Sequence, residues 1–320
     1  MVVPVLNAMR FLPQTIPPLL EAARNTQGVD VLFVDNGSTD GSREYLKSLG
    51  RKGVQVLSLE RAPETATRNL SAAARNFGTH QTHGQYLSFL DADCVVAKDY
   101  FNEALAVLES TGAAATGCET TIPFDPHWTE ATWYDLHYVG RERGVHYLNS
   151  GNFFVCRQAF ERVGGFREDL PSGADAEIGQ RLTKAGYRIH ESPSVGAIHL
   201  GNPKSVREFY RRNVWHATGM LGTVNWHHID KPTAMMTAHL LATIGGLLVL
   251  AVSPFSLLVR LVIAVLLQLA VPTITVAYRV SQTHRARHLI EGICLYWLYY
   301  WARVNALTLL AVGRSHRYVK

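Results

Sequence analysis

Two aspartates close a short apolar run and could together hold a metal ion. Tyr86 to Leu90 has the apolar and aromatic composition of a buried strand in a parallel sheet, and Asp91 and Asp93 follow it directly. Carboxylates at positions i and i+2 of an extended chain lie on the same side, so both could reach one cation. Hard oxygen ligands of this kind favour Mg²⁺ or Mn²⁺, with substrate phosphates completing the coordination. The structural alternative is an acidic loop whose aspartate caps a helix starting near Lys98.

Two arginines upstream could serve the same chemistry. Arg68 and Arg75 are seven residues apart, which places them on one face of the helix predicted from Glu64 to Thr79. They could bind a diphosphate beside the aspartates. A solvated basic stripe on a surface helix is the equally ordinary alternative.

The elements around these residues predict an α/β fold. Strand-like and helix-like segments alternate, and each strand is short and apolar, which favours a doubly wound, mostly parallel, Rossmann-like sheet. Pro4 is expected to end or kink the first strand. The predicted order is a strand at 2–6, a helix at 12–24, strands at 29–34 and 54–59 separated by a helix at 42–49, the helix at 64–79 and the strand at 86–90.

Charge and hydropathy divide the chain unevenly. The first 200 residues carry 18 Lys/Arg against 23 Asp/Glu, whereas residues 201–320 carry 13 against 3. Because the basic part is also the apolar part, it points to an anionic membrane surface and not to nucleic acid. Four scattered cysteines (Cys94, Cys118, Cys156 and Cys294) suggest neither a zinc site nor a disulfide framework. The N-terminus lacks a secretory-signal pattern, so the globular part is expected in the cytosol.

Two long apolar stretches predict a membrane hairpin. Residues 233–252 and 255–278 are each long enough to span a bilayer, and Arg260 and Pro272 in the second are tolerable there. Basic residues flank both outer ends, which places both ends in the cytosol. Residues 289–313 are apolar and aromatic but carry charges, which favours a third, interfacial or re-entrant helix. The flanking basic residues are Arg207, Arg211, Arg212, Lys231, Arg279, Arg285 and Arg287.

Five motifs in order carry a resemblance to a known family. PVLNA at 4–8, VDNGSTDGS at 34–42, AAARNFG at 72–78, GQYLSFLDAD at 84–93 and VGGF at 163–166 resemble a family 2 inverting glycosyltransferase with the GT-A fold. The resemblance covers roughly residues 1–215. We therefore predict a GT-A domain at 1–215, a linker or interfacial segment at 216–232 and a membrane region at 233–320.

The resemblance implies roles for individual residues. It implies that the end of the first strand and the VDNGSTDGS turn at 34–42 hold the nucleotide base and ribose, and that Arg75 lies beside the donor. Asp91 and Asp93 match the DXD motif that holds Mg²⁺ or Mn²⁺ on the donor diphosphate, and His199 matches a histidine that closes on the metal or the diphosphate. The residues implied for the base and ribose are Pro4, Asn7, Asp35 and Ser38.

A general base is implied at Asp175. The family usually reads Glu-Asp there, and here Ala174 replaces the glutamate. From the sequence, Asp175 could also cap the helix predicted at 176–185, a position that would lower its pKa. Glu177 is the reserve candidate. The segment RRNVW at 211–215 is similar to a Q/R-x-x-R-W motif of processive relatives, with Val214 in place of the second arginine.

The predicted protein is a membrane-anchored, metal-dependent hexosyltransferase. It would move a sugar from a nucleotide-sugar donor to a lipid-linked or cell-envelope glycan acceptor, at the cytosolic face of the inner membrane. Arg212 and Trp215 would line the donor or acceptor site, and aromatic residues within 119–149 could form an acceptor-facing wall. The alternatives are a nucleotidyltransferase of related fold and a degenerate, non-catalytic membrane scaffold.

Overall fold

A computed structural model describes residues 1–50, 54–59, 69–138, 143–170, 172–222 and 231–312. Two compact units make up the chain. The first comprises residues 1–124 and 140–202, and the second comprises residues 125–139 and 203–320. Compactness alone does not locate a domain boundary, so the limits at 215 and 232 stay predictions.

The first unit is built on an eight-stranded, mostly parallel sheet. The strand order is β3-β2-β1-β4-β8-β6-β9-β7, in which β8 and β7 run against the other six. A separate antiparallel pair joins β5 to β10. The strands are β1 (Val2–Val5), β2 (Leu32–Asp35), β3 (Gln55–Ser58), β4 (Tyr86–Leu90), β5 (Cys94–Val96), β6 (Ala115–Gly117), β7 (Arg143–Val145), β8 (Asn152–Cys156), β9 (Ile189–Glu191) and β10 (Ala197–His199).

Helices cover both faces of the sheet, which confirms the predicted fold class. Alternate residues of one strand enter two separate cores: Val3 joins the core formed with α1, α2 and α4, whereas Val2 joins the core formed with α3, α6 and α7. The helices of this unit are α1 (Leu12–Arg24), α2 (Ser42–Gly50), α3 (Leu70–His80), α4 (Tyr100–Thr111), α6 (Arg157–Arg162) and α7 (Ala174–Lys184). Arg68 lies outside the described residues.

The first strand differs from its prediction. β1 continues through Pro4 to Val5 and keeps its parallel register with β2 throughout. Proline is tolerated because β1 pairs with β4 only at Val2, opposite Phe89, so the strand is paired on one side at Pro4.

The second unit is helical. It contains α5 (Trp128–His137), α8 (Val206–Gly222), α9 (Lys231–Val252), α10 (Leu257–Thr283) and α11 (Leu289–Ala311). Both α9 and α10 are long and apolar enough to cross a membrane. The most apolar windows of these helices are only 17% and 11% buried, whereas a core helix of a soluble protein is mostly buried. At the turn between them, Arg260 donates to the carbonyl oxygens of Phe255 (2.8 Å) and Leu250 (3.1 Å).

The third long helix, α11, is continuous and packs against the other helices of its unit. Tyr300 is buried and its hydroxyl lies 2.7 Å from Thr275 Oγ1 on α10. Gln268 on α10 bridges the other two helices, because it donates to Thr243 Oγ1 (2.6 Å) and accepts from Trp297 Nε1 (3.0 Å). The interfacial or re-entrant position of α11 in a membrane stays a prediction.

Candidate active site

The end of β1 and the turn after β2 are joined by hydrogen bonds. The Asn7 backbone N–H donates to Ser38 Oγ (3.0 Å), and the Thr39 N–H donates to Asn7 Oδ1 (2.8 Å). Asn7 adopts a left-handed φ of 50°, which asparagine tolerates better than most residues. The Ala8 N–H donates to Ser42 Oγ at 2.9 Å. The structure thus brings together the two segments predicted to hold the nucleoside.

Asp35 is fully buried and organises that turn. Its Oδ1 accepts the Ser38 N–H (3.2 Å) and its Oδ2 accepts from Arg43 Nε (2.8 Å). Burial raises the pKa of this carboxyl, but the hydrogen bonds from Ser38 and Arg43 outweigh burial and hold the pKa below its ordinary value. Pro4 lies half-buried beside this region on β1.

Asp91 follows β4 and is paired with Arg75. The Arg75 Nη2 donates to Asp91 Oδ1 at 2.5 Å, and its Nη1 donates to Ser71 Oγ at 2.7 Å. Arg75 is 5% exposed, and its guanidinium carbon lies 5.7 Å from the ring centroid of Phe166. The Asp91 N–H donates to the Gly151 carbonyl (3.1 Å). Arg75 is therefore a fixed cation at the end of β4.

Asp93 meets His199 across the β5–β10 pair. His199 Nε2 lies 3.3 Å from Asp93 Oδ1, and His199 Nδ1 lies 2.9 Å from Asn202 Oδ1. Because Asn202 Nδ2 donates to the His199 carbonyl (3.2 Å), its Oδ1 is the acceptor and His199 Nδ1 carries a proton. In neutral His199 the Nε2 lone pair then faces a carboxylate oxygen, a contact that requires a proton or a cation.

One thiol adjoins this pair. The ligand atoms of Asp93, Cys94 and His199 all lie within 4.8 Å of one another. Among the described residues, Asp91 is not part of that group. Burial, followed by the charges of Asp91 and Asp93, raises the pKa of the Cys94 thiol well above its ordinary value. A protonated thiol is a poor ligand for a hard cation, so Asp93 and His199 are the donors that fit Mg²⁺ or Mn²⁺.

A Gly-Asn dipeptide lies against each of the two carboxylates: Gly151-Asn152 beside Asp91, and Gly201-Asn202 beside Asp93. The sequence motifs did not identify these dipeptides as part of the site. A Cβ at Gly151 would collide with Asp91 Oδ2, and a Cβ at Gly201 would collide with Asp93 Oδ2. Asn152 donates to the Val195 carbonyl (2.7 Å) and accepts from a tyrosine hydroxyl of α4. Asn202 holds His199 through the contact of its Oδ1 with His199 Nδ1. The repeated Gly-Asn was the available signal.

The structure corrects the environment predicted for Asp175. Gly173, at φ 79°, is the residue that precedes α7, and Asp175 lies inside the first turn with its Oδ1 accepting the Ala176 N–H at 2.9 Å. The predicted lowering of the pKa is wrong. Burial raises the pKa of Asp175 above its ordinary value, despite the opposing hydrogen bond from Ala176 and the charge of Arg75. Asp175 is therefore a stronger base than a solvated aspartate.

The neighbours of Asp175 on α7 have structural contacts. Glu177, the reserve candidate, accepts from Arg181 Nε at 2.7 Å, and Arg181 also donates to the Gly165 carbonyl at 2.7 Å. Ala174 is 7% exposed and packs with Ile178 in the core that contains α7. The position where the family usually has glutamate is thus occupied here by a core methyl group.

Arg212 and Trp215 lie on α8 in the second unit. Both are half-buried, and the Trp215 ring centroid is 4.6 Å from that of His216. Their predicted contribution to the donor or acceptor site stays a prediction, as does an acceptor-facing wall within 119–149.

Comparisons with known proteins identify the family and the fold of this chain. The profile "Glycosyl transferase family 2" matches residues 1–164, and "Glycosyl transferase family group 2" matches residues 86–311. The glycosyltransferase AglE of Haloferax volcanii is 28% identical over 206 residues, which are 63% of this chain and 66% of AglE. The succinoglycan biosynthesis protein ExoA of Rhizobium meliloti is 26% identical over 219 residues, 66% of this chain and 65% of ExoA. The chain thus spans just under two thirds of both relatives.

Among solved structures, the mannosyltransferase PcManGT of Pyrobaculum calidifontis, in complex with GDP-Man and Mn²⁺, gives a TM-score of 0.59. It is 17% identical, and the match covers 96% of this chain and 85% of that chain, so the likeness concerns the fold. The sheet and its two helical layers have the GT-A fold. The chain belongs to glycosyl transferase family 2.

Proposed function

We propose that this glycosyltransferase is metal-dependent, inverting and membrane-anchored. It transfers a sugar from a nucleotide-sugar donor to a lipid-linked or cell-envelope glycan acceptor at the cytosolic face of the inner membrane. The observation that carries the proposal is the close approach of two possible metal ligands, Asp93 Oδ1 and His199 Nε2 at 3.3 Å, next to the Arg75–Asp91 pair.

Asp93 and His199 would hold Mg²⁺ or Mn²⁺, with Asp91 beside them on the same strand end. Their oxygen and nitrogen donors suit either ion, and the metal would supply neutralising charge for the donor diphosphate. Arg75, already fixed by Ser71 and Asp91, provides a second positive charge for that diphosphate.

The nucleoside would bind where the end of β1 meets the turn that follows β2. Asn7 and Ser38 offer side chains at this junction, Pro4 lies behind it, and Asp35 fixes the turn from within. We assign Arg212 and Trp215, from the resemblance alone, to the donor or acceptor site.

Asp175 would act as the general base in a single displacement. Its carboxylate takes the proton of the acceptor hydroxyl while that oxygen forms a bond to the anomeric carbon. The bond from the anomeric carbon to the diphosphate oxygen breaks, and the nucleoside diphosphate leaves with that electron pair. The attack comes from the opposite side, so the anomeric configuration inverts. The raised pKa of Asp175 favours proton acceptance over that of an ordinary aspartate.

Membrane anchorage is supported by the exposed side chains of α9 and α10. Leu241, Leu248 and Leu258 are 63%, 57% and 72% exposed, and such large apolar surface is normally covered by lipid or protein. Basic residues flank the outer ends of both helices, which favours a cytosolic location for the catalytic unit. A membrane-bound enzyme suits an acceptor that is itself a lipid.

The test is release of nucleoside diphosphate by the purified chain in detergent, with a panel of nucleotide sugars and added Mn²⁺ or Mg²⁺. We expect one donor to turn over only with metal, and Asp93→Ala to abolish that turnover. Asp169→Asn, which alters an exposed carboxylate paired with Arg167, is the control. A chelator-resistant reaction, or an Asp93→Ala enzyme of normal activity, would refute metal dependence through this site.

A further inference from the structure

A guanidinium near the end of α10 is held in a fixed orientation. Arg279 Nε donates to the Tyr296 hydroxyl (3.0 Å), which lies 3.0 Å from His137 Nε2. His137 Nδ1 lies 2.8 Å from the Trp133 carbonyl and therefore carries the proton, so Nε2 accepts from Tyr296. Tyr296 is only 2% exposed. The guanidinium is thus one end of a hydrogen-bonded series that involves three helices of the second unit.

Only Arg279 is charged in this series. Burial, followed by the charge of Arg279, lowers the pKa of His137 to about 3, so its imidazole is neutral at physiological pH. Neutral His137 accepts a hydrogen bond from the Tyr296 hydroxyl, and the oxygen of that hydroxyl accepts one from Arg279 Nε. This order fixes the direction of the arginine without neutralising it.

Within the described part of the second unit, no carboxylate pairs with Arg279. Asp135 pairs with Arg285 at 3.3 Å, and Glu130 pairs with Lys204. Glu291 lies 4.0 Å from His288. Among the described residues, Arg279 donates a hydrogen bond through Nε alone. Its two terminal nitrogens therefore form a fork of N–H donors that can bind a ligand.

The fork lies where an apolar helix becomes polar. The side chains of Ile274 and Tyr278 just before it are 64% and 52% exposed, and α10 ends four residues after it at Thr283. A second cation is close by, since Lys231 Nζ lies 5.9 Å from the ring centroid of Tyr278. Apolar surface on one side and cationic side chains on the other match the boundary between acyl chains and phosphate groups.

We propose that Arg279, oriented by Tyr296 and assisted by Lys231, binds the phosphate of an anionic membrane lipid. The planar guanidinium fork can engage two phosphate oxygens at once, which distinguishes it from an arginine that merely extends to water. The inference rests on the proposed function only in taking α10 to lie in a membrane. It adds a lipid-binding site that requires neither metal nor sugar donor.

The test is the affinity of the purified full chain for phosphatidylglycerol, measured by thermal melting in a neutral detergent. We expect this lipid to raise Tm for the unaltered chain and for Arg287→Gln, an exposed arginine that matches the change in charge. Arg279→Gln should bind at least about tenfold more weakly, because a charge-assisted pair is lost. Tyr296→Phe should weaken binding about threefold, since the charge stays but its orientation is lost.

Two further probes identify the source of the phosphate. A short-chain isoprenoid monophosphate that displaces phosphatidylglycerol in an Arg279-dependent manner would make the site one for an acceptor-type lipid. Inorganic phosphate that binds as well as either lipid would overturn the lipid proposal.

Equal binding by Arg279→Gln and the unaltered chain would also overturn it, as would equal losses in Arg279→Gln and Arg287→Gln. Flotation with neutral vesicles separates this failure from failure of the proposed function. A chain that floats but lacks the Arg279 effect loses only the lipid site, whereas a chain that does not float loses its membrane anchorage.

Discussion

The ends of β2 and β4 carry carboxylates in opposite circumstances. At the end of β2, Asp35 is fully buried, and both its oxygens are occupied by Ser38 and Arg43. At the end of β4, the side chains of Asp91 and Asp93 are 34% and 21% exposed and are approached from behind by glycines. The same residue type thus organises a turn in one place and lies at the candidate ligand site in the other. The greater exposure of Asp91 and Asp93 separates the two roles.

Among substitutions that leave Asp93 and its surroundings intact, the largest effect is expected at a third acid, Asp175. Asp175→Asn should lower kcat about 10²- to 10⁴-fold, because an amide cannot take the acceptor proton. Metal-dependent donor binding, measured by calorimetry, should persist. A fall of less than about threefold would show that another group is the base.

The pH profile and stability of Asp175→Asn provide the control. The raised pKa means that kcat/KM should increase with pH through a value above 3.8, and the variant should lack this limb. A raised carboxyl pKa also costs stability once pH exceeds the ordinary value, so Asp175→Asn should keep or increase Tm. Lost activity with a lowered Tm would indicate damage to the fold.

A smaller effect is expected when one methyl group is added beside Asp93, the carboxylate of the proposed metal site. Gly201→Ala would displace Asp93 and should weaken Mn²⁺ affinity and turnover about 10- to 100-fold. Gly50→Ala, where the added carbon makes only ordinary contact with Val56, should be neutral. Equal metal binding by both variants would remove the proposed role of Gly201.

At the β2 end, the expected effect is on stability. Asp35→Asn should cost about 1–3 kcal/mol, because the buried pairing with Arg43 is weakened. Since the pKa of Asp35 is lowered, its stabilisation is present above the ordinary value of 3.8 and lost as pH falls through the folded-state value. Denaturant unfolding from pH 7 to pH 3 should therefore be less pH-dependent in the variant. If the free energy of unfolding depended on pH equally in the variant and the unaltered chain, the stabilising role assigned to the Asp35 carboxylate would be wrong.

The smallest effect on catalysis is expected at Glu177. Glu177→Gln should leave turnover within about twofold, because the Glu177 carboxylate is already paired with Arg181. Stability should also change little, because such a half-buried ion pair contributes on the order of 1 kcal/mol or less. A loss comparable to that of Asp175→Asn would exchange the roles of the two acids.

Local patterns were sufficient for much of the fold. The apolar spacing of Leu12–Arg24 predicted α1 with its observed bounds, and Tyr86–Leu90 forms β4 as expected. Pro4 was misjudged because its tolerance depends on which neighbour pairs with β1, and that is a property of the whole sheet.

The candidate site was harder to predict from the sequence than the fold. Asp91 and Asp93 could be singled out from their spacing, but the Arg75–Asp91 pair joins residues sixteen positions apart and depends on how α3 packs. The pKa shift of Asp175 was predicted with the wrong sign, because burial depends on the tertiary fold and outweighs the local hydrogen bond from Ala176. The backing role of Gly151 and Gly201 appears only once β8 and β10 lie beside the aspartates.

Arg260 at the turn between α9 and α10 has an electrical consequence for the proposed hairpin. Its guanidinium satisfies two carbonyl oxygens at the tip, so it arrives on the far side of the membrane with its positive charge. With the cytosol negative, moving that charge outward requires about 2.3 kcal/mol of work per 100 mV. Insertion of the hairpin would therefore become easier when the membrane is depolarised, whereas the catalytic unit would be unaffected.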